Sequence, residues 1–376
     1  MEAVVKKHYV YLIPGFFGFA DLGAISYFHH VREILEELLE DYGIAPEIHY
    51  VSTVPTGSIR RRAYFLGKQI AETATDPSAP IHLIGHSTGG LDARLFASPS
   101  VSLLDELDTE EFAGRISTIV SVASPHYGTP LARFFDGLLG QRLLYLLSMI
   151  TVHALRFGKF PLSAVFSIVG VISRLDDFIG WDNTIVDQFY DNLFADLEDE
   201  HFDQVSEYLE SIRTDQTLLG QLTPGGIDLF NAAAEDRPGV RYGCAITRAR
   251  KPEVDSILDI GLDPYRQASH IIYRFLYLIA GGGFAPPTVS EDERQIMLDA
   301  YGSLPADNAS DGVVPTWSQL HGELIHATWA DHLDVCGHFT DPARFPPHVD
   351  WLCSSTGFSR DRFDALWRDI AAFIGG

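Results

Sequence analysis

Cysteine is scarce, with only Cys244, Cys336 and Cys353 in 376 residues. Three scattered thiols make neither a disulfide framework nor a zinc site. At most one bridge could form, so a reducing compartment fits equally well. Cationic residues are also few: 27 Lys and Arg stand against 51 Asp and Glu, a net charge of −24. That balance argues against nucleic acid or an anionic membrane as partner and is easier to reconcile with a neutral substrate. No apolar run reaches the roughly 20 residues that span a bilayer. The longest are Leu143 to Leu155 and Phe160 to Ser173. The opening MEAVVKKHYVYLIPG has no small-residue cleavage site after its apolar run, so it lacks a signal-peptide layout and the sequence predicts a cytoplasmic protein. Repeats and low-complexity segments are missing as well.

What is present is a large core. A hydrophobic content of 46% suits one big domain, or a domain carrying a sizeable insertion. Strands are expected at Tyr9 to Ile13, Glu47 to Val51, Ile81 to Ile84 and Ile116 to Ala123, with helices at Ile25 to Tyr42 and Ser58 to Thr73 between them. This alternation predicts an α/β fold with a mostly parallel sheet flanked by helices. From Phe134 to about Asn231 the pattern is helical, without a convincing strand. Inserted after a core strand, such a block reads as a cap over the carboxyl ends of the sheet. A strand at Val240 to Thr247 resumes the sheet. Helices at Pro264 to Ala280 and Glu291 to Tyr301, a strand at Glu323 to Trp329 and a closing helix at Asp361 to Phe373 complete it. The division is therefore a core over 1–133, a cap over 134–239 and the rest of the core over 240–376.

One stretch carries chemistry. In IHLIGHSTGGLDARLF, Gly85-His86-Ser87-Thr88-Gly89 joins a buried strand to a helix, which is the setting that G-x-S-x-G requires. Small residues two before and two after let the chain cross itself and push the serine hydroxyl into the open. A serine hydroxyl needs an imidazole to take its proton and a carboxylate to orient that imidazole. Downstream, NASDGVVP places Asp311 in a polar turn, and HATWADHLDVCGHF offers His332 and His338, 21 and 27 residues beyond that acid. Spacing alone leaves both histidines open.

Together, VYLIPGFFGF, HLIGHSTGGLDAR, SVASPHYGTPLA, SDGVVP and ADHLDV resemble the bacterial true lipases of the α/β-hydrolase superfamily. Their counterparts there are an HG-type oxyanion loop, an HSxGG elbow, an SPHxG strand end, an NDGxV acid turn and an NHLDE histidine loop. The resemblance covers roughly the first 130 residues and about 30 around Asp311 to His338. It implies the α/β-hydrolase fold and His332 as the base, since the family's histidine is the one in HLD. It also implies an oxyanion hole from the backbone N–H groups of Phe16, after Pro14-Gly15, and Thr88. This chain departs from the family in having Pro14 where a histidine is usual. Family members often bind calcium through the acid two residues after that histidine, here Asp334. A second acid does not align, since Glu291, Asp292 and Asp299 stand at shifted spacing, and one acid makes a poor calcium site. Asp334 is thus expected to be a solvated loop acid, with no metal assigned and no cofactor expected.

The expectation is a lipase or esterase with Ser87, His332 and Asp311 as triad. The apolar cap segments suggest a hydrophobic acyl pocket, a small hydrophobic ester as substrate and contact of the cap with a lipid interface. Acyl transfer, amide or polyester hydrolysis, or a catalytically silent binding protein are the alternatives. Oligomeric state is not legible.

Overall fold

The computed structural model describes residues 6–16, 21–22, 25–103, 109–137, 140–141, 143–145, 147–149, 199–252, 263–282, 284–341, 350 and 352–376. Its strands are β1 (Lys6–Ile13), β2 (Asp21–Leu22), β3 (Ile25–Ser26), β4 (Ile44–Tyr50), β5 (Ile81–His86), β6 (Ile116–Val122), β7 (Arg241–Arg248) and β8 (Glu323–Trp329). Six of them form one parallel sheet in the order β4-β1-β5-β6-β7-β8, while β2 and β3 make a separate antiparallel pair.

The helices are α1 (Val31–Glu40), α2 (Ile59–Thr73), α3 (Thr88–Ala97), α4 (Thr109–Ala113), α5 (Pro130–Asp136), α6 (Asp199–Thr214), α7 (Thr217–Leu222), α8 (Pro224–Ala233), α9 (Pro264–Ala280), α10 (Glu291–Tyr301) and α11 (Arg360–Gly375). Because a parallel sheet is covered on both faces, its central strands β5 and β6 are buried almost throughout, their few polar side chains included. Along β1 the side chains alternate between two cores. Val10 and Leu12 belong to the core that holds Leu35 of α1 and Trp367 of α11, and Tyr9, Tyr11 and Ile13 to the core that holds Leu66 of α2 and Leu91 of α3.

Strand order decides where a site can form. The chain leaves β1 for β4 on one side, then crosses back to β5 on the other, so the crevice between the carboxyl ends of β1 and β5 is the topological switch point. Pro14-Gly15-Phe16 leaves β1 there and Ser87 leaves β5.

The expected elements recur with shifted ends. The helix predicted from Ile25 starts only at Val31, because the chain before it is bound elsewhere. His29 N–H donates to the Cys336 carbonyl at 2.7 Å, His338 Nε2 donates to the Tyr27 carbonyl at 2.9 Å, and His30 turns left-handed at φ 62°. Strand β4 begins earlier than predicted and contains Pro46, which an edge strand tolerates. Between β6 and β7 the described residues form helices and no strand. Helix α5 crosses position 134, the expected start of the cap. Of the two apolar stretches, Leu143 to Leu155 is described in part and Phe160 to Ser173 lies outside the described residues.

Candidate active site

Ser87 occupies the turn between β5 and α3 with φ 54° and ψ −127°, a backbone cost of about 1–3 kcal/mol that surrounding structure must hold. The flanking glycines explain how it is held. A Cβ on Gly85 would come within 2.3 Å of the Gly89 carbonyl carbon, and one on Gly89 within 2.3 Å of the Ile13 carbonyl oxygen. The Ser87 N–H donates to the Val122 carbonyl of β6 at 2.8 Å, which anchors the turn to the sheet.

The three residues expected to act together meet. Ser87 Oγ lies 2.9 Å from His332 Nε2, and His332 Nδ1 lies 2.8 Å from Asp311 Oδ2. A carboxylate only accepts, so Nδ1 carries a proton and Nε2 is left to accept from the serine. Asp311 is fully buried. Its Oδ1 accepts from the backbone N–H groups of Val313 and Val314 at 2.9 and 2.7 Å. Its Oδ2 also has the Thr247 hydroxyl at 2.9 Å and the Gln319 amide at 3.3 Å. Sequence reasoning found Asp311 but not these two supports, which come from β7 and from the 3₁₀ turn at Thr316–Gln319. His338 does not reach Ser87; it donates to the Tyr27 carbonyl.

The loop after β1 is aimed by a buried ion pair. Arg62 Nη2 donates to the carbonyls of Pro14 and Gly15 at 2.8 and 2.9 Å, and Nη1 donates to those of Val54 and Pro55. Its Nε meets both oxygens of Asp92 in α3. In a trans peptide the carbonyl and the following N–H point in opposite directions. Holding the Gly15 carbonyl on Arg62 therefore turns the Phe16 N–H the other way. Thr88 N–H is one of the helix-opening donors with no intrahelical acceptor, and Phe16, Thr88, Ser87 and His332 line the same cavity. The departure at Pro14 is compatible with this support, because Arg62 binds a backbone carbonyl. A signal for Arg62 was present, since it sits on the stripe Ile59, Ala63, Leu66 and Ile70 that α2 buries.

That cavity holds about 1070 Å³ of empty space, its mouth included, and among the described residues no carboxylate, Lys or Arg lines it. Leu131, Phe135, Leu144 and Leu219 come from the expected cap or its margin. Ile272 and Leu276 come from α9, outside the segment to which the sequence assigned the pocket.

Behind His332 the structure corrects the sequence on Asp334. That residue is buried, not solvated, and its neighbours are Asp331 and Asp350; Glu291, Asp292 and Asp299 lie on α10. The three carboxylates offer oxygens all within 4.8 Å of one another. Burial pushes Asp331 up to about 7, and burial followed by the Asp331 charge raises Asp334 and Asp350 well above the usual range. Ser354 donates to Asp331 Oδ2 at 2.6 Å, and Asp331 N–H and Thr356 donate to Asp334 Oδ2. Hard oxygen donors carrying crowded, desolvated negative charge fit a calcium-type cation. The acids on both sides of the histidine in ADHLD were the available signal, whereas Asp350 is distant in sequence.

No family model matches the chain. Over 146 residues it is 29% identical to the triacylglycerol lipase of Pseudomonas fragi, covering 37% of this chain and 44% of that lipase. The match thus spans less than half the length of that curated relative. Staphylococcus hyicus lipase superposes with a TM-score of 0.54 at 16% identity, over 100% of this chain and 97% of the lipase. Lipase 1 from Pelosinus fermentans gives 0.52 at 16%, over 98% of each chain. EstA from Clostridium botulinum gives 0.52 at 18%, over 98% and 87%. At such identities the likeness shows the fold, and the chain is an α/β-hydrolase-fold protein that resembles bacterial lipases.

Proposed function

We propose that this protein is a serine carboxylic ester hydrolase, a lipase or esterase acting on neutral esters with an apolar acyl group. The observation that carries the reading is the relay of 2.9 and 2.8 Å from Ser87 through His332 to Asp311, opening on a cavity whose described lining is apolar and holds no carboxylate, Lys or Arg. Ser87 Oγ attacks the ester carbonyl while His332 Nε2 takes its proton. The oxyanion that forms is held by the N–H groups of Phe16 and Thr88, for which a single lost donor costs about 3 kcal/mol. His332 then returns the proton to the leaving alcohol. Water attacks the acyl-enzyme with His332 again as base, releasing the acid and restoring Ser87. Asp311 orients the imidazole and stabilises the charge that forms on it.

Residues 134–239 serve as the cap that encloses the acyl chain, and its apolar side chains meet the lipid interface. A calcium ion, if bound, would be held by Asp331, Asp334 and Asp350 and would fix the loop that carries His332.

The test is hydrolysis of p-nitrophenyl esters from acetyl to palmitoyl. Activity should rise with chain length and fall on the order of 10⁴-fold or more in Ser87→Ala. An inactive, folded protein that a fluorophosphonate fails to label would sink the reading. Labelling without hydrolysis would point to transfer onto an alcohol other than water, or to an amide or polyester substrate.

A further inference from the structure

His86, the residue before the nucleophile, has no part in the relay described above, yet it is fully buried against it. Its Nε2 lies 2.8 Å from the His332 backbone carbonyl and its Nδ1 lies 2.7 Å from the Tyr27 hydroxyl. That hydroxyl in turn lies 2.9 Å from the Gly15 amide nitrogen. A carbonyl only accepts, so His86 Nε2 must carry the proton. In the neutral ring Nδ1 then accepts, the Tyr27 O–H donates to it, and the Tyr27 oxygen accepts from the Gly15 N–H. Every donor is thereby determined, and all three bonds run in one direction from the loop after β1 to the loop after β8.

We propose that Tyr27 is a positioning residue which, through His86, ties the oxyanion loop to the loop of the base. The two loops come from opposite sides of Ser87 and share no strand. One end of the chain fixes Gly15, whose carbonyl is already on Arg62, so both faces of the residue preceding the Phe16 donor are held. The other end fixes the His332 carbonyl, while the His332 N–H donates to the Asp311 carbonyl at 3.1 Å. Glycine is required where the parts meet. A Cβ on Gly15 would stand 2.6 Å from Ser87 Cβ and 2.7 Å from the Tyr27 oxygen. Burial keeps the two side chains in the forms the chain needs: it lowers His86 well below the usual histidine range, leaving it neutral, and raises Tyr27, leaving it protonated. Aligned hydrogen bonds polarise one another in a low-dielectric interior, so the loss of one member weakens the rest.

The inference rests on the ester-hydrolase reading, and the test separates the two. Turnover of p-nitrophenyl butyrate and inhibition by butylboronic acid are measured on the intact protein, on Tyr27→Phe, on His86→Leu and on the double variant, with His86→Gln as the conservative replacement. In Tyr27→Phe we expect kcat to fall on the order of 10- to 100-fold with KM within about twofold. The boronic acid, which forms a tetrahedral adduct, should weaken in parallel. His86→Leu should match it, His86→Gln should recover most of the loss, and the double variant should lose no more than the worse single one. An active wild type with unchanged kcat in Tyr27→Phe, or with losses that add, overturns the positioning role alone. An inactive, unlabelled wild type overturns the hydrolase reading instead. Imidazole ¹⁵N shifts of His86 at pH 7 judge the chain without any turnover: a neutral ring protonated on Nε2 is required, and an Nδ1–H or charged ring overturns it.

Discussion

Below Ser87, Arg62 and Asp92 are both fully buried, and guanidinium meets carboxylate at 2.9 Å. Behind His332, Asp331, Asp334 and Asp350 crowd three carboxylates within 4.8 Å, and none of them forms an ion pair among the described residues. The first wall satisfies its own charges, and every Arg62 nitrogen has an acceptor. Among the described residues the second wall is supplied with hydroxyl and backbone N–H donors, and Arg266 acts on Asp350 without an ion pair, so its crowded negative charge favours protons or a bound cation. Two loops of one candidate site are thus held in different ways. One is held through its own residues, the other conditionally.

Breaking the self-sufficient wall should have the largest effect. Asp92→Asn leaves a buried guanidinium without its counter-charge and is expected to cost about 3–5 kcal/mol in urea unfolding. A loss under about 1 kcal/mol would show that the wall does not depend on its pair. The conditional wall should respond to the solution. Calcium in hundredfold excess over its dissociation constant should add about 2.7 kcal/mol, read as a rise in thermal midpoint that a chelator reverses. Asp334→Asn should abolish that rise and, in chelator, be no less stable than the wild type. A midpoint indifferent to calcium would leave protons as the only neutralising agent there.

A smaller effect separates both walls from the rest of the core, where buried histidines are held neutral. Burial, then the neighbouring His8, pushes His82 down to about 3. The unfolded chain takes that proton near 6.5, so the stability is complete above about 6.5 and is lost as pH falls toward 3. About 2 kcal/mol should be gone by pH 5. His82→Gln should flatten the slope measured by urea unfolding between pH 7 and 5; an unchanged slope would assign the acid sensitivity to other groups.

Much of this is legible in the sequence. Apolar runs bounded by turn residues located the six strands of the main sheet, because burial on both faces leaves little choice of residue. The elbow was legible because steric crowding at Ser87 admits only small neighbours. The start of α1 was not, since His29 and Tyr27 bond to residues 336–338, some three hundred positions away. The buried nature of Asp334 was equally hidden, because solvation of a loop acid depends on what packs over it. Of its two partners, one is nearby and one is remote.

By itself, then, the sequence determined the alternation of strands and helices, the glycine-boxed serine, the acid turn and two candidate histidines, of which the family resemblance favoured His332. These are local matters of backbone sterics, periodicity and side-chain type. Tertiary structure placed His332 Nε2 2.9 Å from Ser87 and alone decided that Arg62 holds the loop after β1, that α9 helps to wall the cavity and that Asp350 joins the buried Asp331 and Asp334. Each of those depends on distance between residues far apart in the chain, which strand order sets and no local pattern records.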